Sequence, residues 1–209
     1  MPPQLDHIRI ILNAIDFDCP ELAKLIYRTP ALRPHNTAHV KFDNHSSKVV
    51  LLGRPPEIRI SYISGLFEIF DRDWCLSFVV HVCNSLPTPS PVEVLHIEYG
   101  CEYSQLWRND AIGNLQLLLP FTAVKNLYLS EEALPGIAAA LQELVGARIT
   151  EALPSLQNIF VGEVEPLKTF QEKTMKFLAA RRLSGHPVAV LVWREPVQND
   201  GEEDEESAY

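Results

Sequence analysis

The hexapeptide Val124-Lys125-Asn126-Leu127-Tyr128-Leu129 decides the fold. Apolar residues stand at its first, fourth and sixth positions, and Leu127, Tyr128 and Leu129 alternate as a half-buried β-strand does. The same template fits Val92, Leu95 and Ile97, then Leu156, Ile159 and Val161, then Val188, Leu191 and Trp193. The starts fall at 92, 124, 156 and 188, a step of 32 each time. Each strand follows a helical pattern. One such unit cannot bury its strand face and helix stripe alone, so neighbours stack into a continuous core.

Working outward, Leu134, Ile137, Leu141, Leu144 and Val145 mark one helix face after Ser130, which is expected as the N-cap, and Gly146 marks its stop. Leu167, Phe170, Thr174, Phe177 and Leu178 mark another, opening at Pro166 and ending at Ser184-Gly185. Trp74, Phe78, Val82 and Leu86 recur on a helix beginning near Asp71 or Asp73, Leu115–Leu119 reads as a short buried helix, and Pro20 opens a further short one. Near the start, Leu5, Ile8, Ile10 and Asn13 spell the leucine-rich-repeat consensus. The later units carry Gly100, Glu132, Val164 and Pro196 where that Asn would stand. The expected fold is therefore α/β. It is a leucine-rich-repeat-like solenoid over residues 1–195, with irregular repeats of about 32 residues, parallel strands on one side and helices on the other. Residues 37–62 break the period, and strands flanking Asp43-Asn44-His45-Ser46 predict a β-hairpin insertion there. Residues 196–209 are polar and acidic and are expected to be disordered.

The 209 residues carry a formal charge of −9, and six of the acids lie among the last ten residues, which leaves a nearly neutral body. A nucleic-acid binder should show a basic face, so that class is set aside. No apolar run reaches the ~18 residues of a membrane span, and no basic-then-apolar leader is seen. Cys19, Cys75, Cys83 and Cys101 form no C-x-x-C pair and read as reduced thiols of a cytoplasmic or nuclear protein.

Three stretches carry a resemblance: Pro120-Phe121-Thr122-Ala123-Val124-Lys125-Asn126-Leu127-Tyr128-Leu129-Ser130, Ala140-Leu141-Gln142-Glu143-Leu144-Val145-Gly146, and Glu151-Ala152-Leu153-Pro154-Ser155-Leu156-Gln157-Asn158-Ile159-Phe160. With Ile15-Asp16-Phe17-Asp18 upstream and His186-Pro187-Val188-Ala189-Val190 downstream, the chain resembles the C-terminal, leucine-rich-repeat-like region of F-box proteins from mushroom-forming fungi. The resemblance runs to about Trp193 and implies a non-enzymatic protein-binding module, the part of a ubiquitin-ligase substrate receptor that holds the substrate. It does not extend to the F-box, so adaptor docking is implied only if an F-box lies upstream.

The expected protein-binding residues are the strand positions turned away from the helices, Glu93, His96, Lys125, Tyr128, Asn158 and Phe160, together with Trp107 in a loop rich in aromatics. Trp74 and Trp193 lie in apolar elements and are expected in the core. No catalytic, cofactor-binding or metal-binding residue is assigned. His35, His39 and His45 cluster in sequence, but strand geometry turns His39 away from its neighbours, and three histidines without cysteine or carboxylate support make a weak metal site. Asp16 with Asp18 and Asp71 with Asp73 precede helices, where carboxylates cap rather than catalyse. Two other readings stand beside the binding module. A small α/β enzyme predicts a deep pocket with perturbed titratable groups. A non-functional fragment predicts an exposed apolar strand edge at residues 5–12.

Overall fold

Alternation of apolar and polar side chains sets the strands, and the strand order follows from where their apolar faces can meet. The computed structural model describes residues 7–13, 35–43, 46–53, 57–63, 72–84, 92–100, 110–146, 148–162 and 164–193. The strands are β1 (His7–Asn13), β2 (His35–Asp43), β3 (Ser46–Gly53), β4 (Glu57–Ile63), β5 (Val94–Tyr99), β6 (Asn126–Leu129), β7 (Asn158–Val161) and β8 (Ala189–Val192). The helices are α1 (Arg72–Asn84), α2 (Ala111–Leu118), α3 (Leu134–Gln142) and α4 (Val164–Leu183), and a 3-10 turn at Glu131–Ala133 leads into α3. The expected Pro20 helix, Trp107, Leu86 and the acidic tail lie outside the described residues, as does the side chain of Trp74.

The strands form one open, mixed sheet in the order β1-β4-β3-β2-β5-β6-β7-β8. Only β3 runs against the rest. It pairs antiparallel with β2 and β4, and every other neighbouring pair is parallel. The break in the period is thus a three-stranded meander between β1 and β5, wider than a hairpin by one strand. Asp43 at the end of β2 pairs with Ser46 at the start of β3, where the sequence places the turn.

The step of 32 becomes register. Leu95 pairs with Leu127 and Leu127 with Ile159, and Ile97 runs on to Leu129 and Val161 in the same way. Val92, Val124 and Leu156 turn into the same core just before their strands. Neighbouring helices pack on one another and close this core from the sheet's apolar face, with Phe78, Phe121, Ile137, Leu141, Phe170 and Phe177 filling it. Fully burying a side chain of this size contributes about 1.5–3 kcal/mol, so the row is the main source of stability.

The last step departs from the expectation. Ile159 pairs with Val190, and Phe160 with Leu191, so the period there is 31. A one-residue slip moves every side chain to the opposite face. Val190 packs against the core, whereas Val192, on the same side of the edge strand, is as exposed as Leu191, and Leu191 and Trp193 turn to the other face. Trp193 is therefore not a core residue. Val145, expected on the inner face of α3, is exposed as well, because the helix has ended before it. Ser130 does not cap a helix with its side chain. Its hydroxyl instead accepts from the Tyr99 amide at 3.2 Å and ties β5 to the end of β6.

The turn between α3 and β7 is held from inside by Arg181, which is fully buried. Its Nη2 donates to the carbonyls of Pro154 (3.2 Å) and Leu156 (3.0 Å), and its Nη1 reaches Ile149 at 3.5 Å. Leu153, with φ at 49°, sits in this turn with its side chain buried. A left-handed leucine persists only where its surroundings over-determine it.

Candidate functional site

The helices cover one face of the sheet. On the other face, strand alternation brings out His39, His96, Tyr128 and Phe160, and the parallel register places them in one row. The rings stack almost face to face. His39 and His96 lie 4.0 Å apart at 9°, His96 and Tyr128 4.3 Å at 6°, and Tyr128 and Phe160 4.3 Å at 7°. In-register parallel strands give equivalent positions the same side-chain direction, which is why the planes agree. Trp193, brought to this face by the slip in β8, stands across the row with its centroid 5.4 Å from Tyr128 and 6.3 Å from His96. All five side chains are half-buried.

Polar residues flank the row on both sides. Toward the strand starts, Lys125 Nζ bonds Glu93 Oε1 at 2.8 Å and Asn158 Nδ2 donates to Asn126 Oδ1 at 2.8 Å. Toward the strand ends, Lys41 lies 3.5 Å from Glu98 and 3.7 Å from Asp43. These exposed ion pairs contribute little stability, at most about 1 kcal/mol each. Their value is placement: charges are neutralised beside the rings, so the centre of the face is uncharged and its rim polar. Burial pushes the His96 imidazole down to about 4, with His39 adding to the effect. Burial lowers His39 too, against the opposing charges of Glu98 and Glu57. Both rings are neutral at pH 7.

Of the residues expected to bind, the structure brings His96, Tyr128, Asn158 and Phe160 onto this face and puts Glu93 and Lys125 at its rim as a pair. The sequence reading missed His39 and Trp193. His39 aligns with His96 across 57 residues, outside the period. Trp193 reaches the face only through the slip. Of the other singled-out groups, His35 is buried and Val40, beside His39, faces the core. Cys83 is a buried free thiol with its pKa pushed up by burial. Ser77 Oγ lies 3.2 Å from His81 Nδ1, but that nitrogen also lies 2.6 Å from the Ser77 carbonyl oxygen and must donate its proton there. It is no base for the hydroxyl. Among the described residues no group of three or more His, Cys, Asp and Glu is placed to hold a metal ion, and no helix is long and apolar enough to cross a membrane.

No family model matches the chain, and no curated protein matches it. The arrangement itself is a broad aromatic face with a polar rim, and interface cores combine aromatic enrichment with a polar rim in the same way.

Proposed function

We propose that the chain is a leucine-rich-repeat-like solenoid and that the sheet face opposite the described helices binds a protein partner, as the substrate-recognition region of an F-box protein does. The observation that carries this reading is the in-register row His39–His96–Tyr128–Phe160 with Trp193 across it. Large rings already fixed in place lose little conformational entropy on contact, which is what makes aromatic anchors effective. The constant step through β5, β6 and β7 supports the repeat reading, and the resemblance to the fungal F-box proteins supports a protein as the occupant. The module acts by contact and not by chemistry. Its residues include no F-box positions, and adaptor docking is assigned to none of them.

A photo-crosslinking residue placed at Asn158 tests this in extracts of the source cells. The same residue at Lys176, exposed on α4, is the control. A partner captured from 158 and not from 176, and lost when Tyr128 and Phe160 are both changed to Ala, is the expected result. Equal capture from both positions, or capture indifferent to the Tyr128→Ala and Phe160→Ala changes in a folded chain, refutes it.

A further inference from the structure

We infer that the outward face of α4 is a docking surface for an acidic segment, and that residues 200–206 of the same chain occupy it. Cations are unevenly matched over the molecule. Lys41, Arg59, Lys125 and Arg148 each bond a carboxylate at the surface. Lys168, Lys173, Lys176 and Arg182 are all exposed on α4, and none of their side chains makes an ion pair or a hydrogen bond among the described residues. Glu172 is the one carboxylate among the described side chains of this helix, so four cations stand against one anion. Phe170, Thr174, Phe177 and Arg181 are buried on the inner side, and Lys168, Lys176 and Arg182 lie on the outward side along about 21 Å of helix. Lys48, alternating with the core residues Val49 and Leu51, is unpaired too, but it is single and lies on the ring face.

The chain brings its own polyanion to this surface. Asp200, Glu202, Glu203, Asp204, Glu205 and Glu206 put six carboxylates into seven positions. They follow β8, which lies parallel to β7 and is joined to it through α4. The helix therefore runs back against the strands, and the end of β8 lies near its start. The Trp193 amide donates to the Val161 carbonyl at 2.9 Å, three residues before Val164 opens the helix. Asp200 is seven residues beyond Trp193 and Glu206 thirteen, reaches of about 23 and 43 Å at ~3.3 Å per extended residue. The 20 residues of α4 span about 30 Å, so the acidic run is long enough to lie beside every one of its free cations. A tether this short holds the run at an effective concentration of roughly millimolar. Its six carboxylates repel one another until cations stand among them, and that repulsion is relieved on the helix. The contact depends on charge and not on a fixed conformation of the run. The inference is independent of the ring face, because α4 and the rings lie on opposite sides of the sheet and a docked run leaves the rings open.

Zero-length carbodiimide coupling of the full chain tests this, because it joins a lysine ammonium to a carboxylate only where the two are in contact. Isotope-labelled and unlabelled copies are mixed, and the joined peptides are read by mass spectrometry. The expected result is coupling of residues 200–206 to Lys168, Lys173 and Lys176, severalfold more often than to Lys48 or Lys125, with both halves of each joined peptide from one copy. The coupling should fall severalfold between about 0.01 M and about 1 M salt, as the screening length drops from ~30 Å to ~3 Å. A second measurement changes the acids together (Asp200→Asn, Glu202→Gln, Glu203→Gln, Asp204→Asn, Glu205→Gln and Glu206→Gln). In a chain that circular dichroism shows to be folded, the amide resonances of α4 should shift and those of Tyr128 and Phe160 should not. Coupling spread evenly over Lys48, Lys125 and the α4 lysines, or α4 resonances indifferent to the six changes, refutes the docking surface. Joined peptides drawn from two different copies make the occupant a second chain and refute the assignment to the same chain.

Discussion

Replacing Arg181 by Met should destabilise the chain by about 2–4 kcal/mol. The side chain is fully buried, and two of its contacts are firm hydrogen bonds, at 3.2 Å to Pro154 and 3.0 Å to Leu156. The third, at 3.5 Å to Ile149, is too long to count fully. Hydrogen bonds from charged groups contribute ~1.5–3 kcal/mol each, and a buried carbonyl left without a donor costs ~1–3 kcal/mol. Against this stands the desolvation of the guanidinium. Burial lowers its pKa, no carboxylate bonds it among the described residues, and its Nε has no partner there. Methionine would relieve that term, which is why the expected loss lies below the sum of the bonds. The carbonyls win because they stay in place, buried in a turn that already holds Leu153 at φ 49°. Urea unfolding followed by circular dichroism reads the change, and the midpoint of thermal unfolding should fall by about 10 °C for a chain of this size. Hydrogen exchange should accelerate first in residues 148–157. An Arg181→Met chain as stable as the original, or more so, would show that desolvation outweighs the capping and refute the reasoning.

Three shorter predictions follow from the same geometry. Leu127→Ala, in the middle of the core row, should lose about 3 kcal/mol, whereas Leu191→Ala should change stability by no more than about 0.5 kcal/mol because Leu191 is exposed on the edge strand β8, on the face opposite the core. Equal losses at both positions would restore the unbroken 32-residue step. The depressed His96 gives a pH dependence. The unfolded chain binds this proton below pH 6.5 and the folded chain only near about 4, so the contribution is complete above pH 6.5 and is lost as pH falls toward 4. The ceiling is about 3 kcal/mol, and half-exposure to solvent reduces it to about 1 kcal/mol. Comparing urea unfolding of the original chain with His96→Gln at pH 7.5 and 4.5 isolates it, and parallel pH profiles for the two chains would count against it. Finally, Tyr99→Phe should cost about 1–2 kcal/mol, since the buried Tyr99 hydroxyl donates to Asn114 Oδ1 and its loss removes that donor from a buried amide. A double change with Asn114→Ala that loses the full sum of the two single effects would show that the pair does not act together.

Much of this was legible because the template fixes parity as well as place. In Val124-Lys125-Asn126-Leu127-Tyr128-Leu129 the polar and apolar residues differ enough to say which side faces the core, so the pattern places Tyr128, and Phe160 in register with it, on the face away from the helices. In Val188-Ala189-Val190-Leu191-Val192-Trp193 every residue is apolar, so period-2 alternation carries no information about face. Backbone pairing with β7 then chose the register that the side chains left open. His39 was illegible for another reason. Its partner lies 57 residues away because the meander inserts two strands, and no local pattern records which strand will neighbour β5. Arg181 and Arg182 look alike in sequence, yet one is buried and one exposed. Only the packing of α4 against the turn before β7 separates them.

The account rests on one row of rings crossing, in register, the sheet face opposite the described helices. Two-dimensional nuclear Overhauser spectroscopy on the isotope-labelled chain tests it most directly. The account predicts contacts from the Tyr128 ring protons to the rings of both His96 and Phe160, and from Trp193 to Tyr128. Tyr128 ring protons in contact with Ile137 or Leu141 of the helical layer, and none with Phe160, would contradict it.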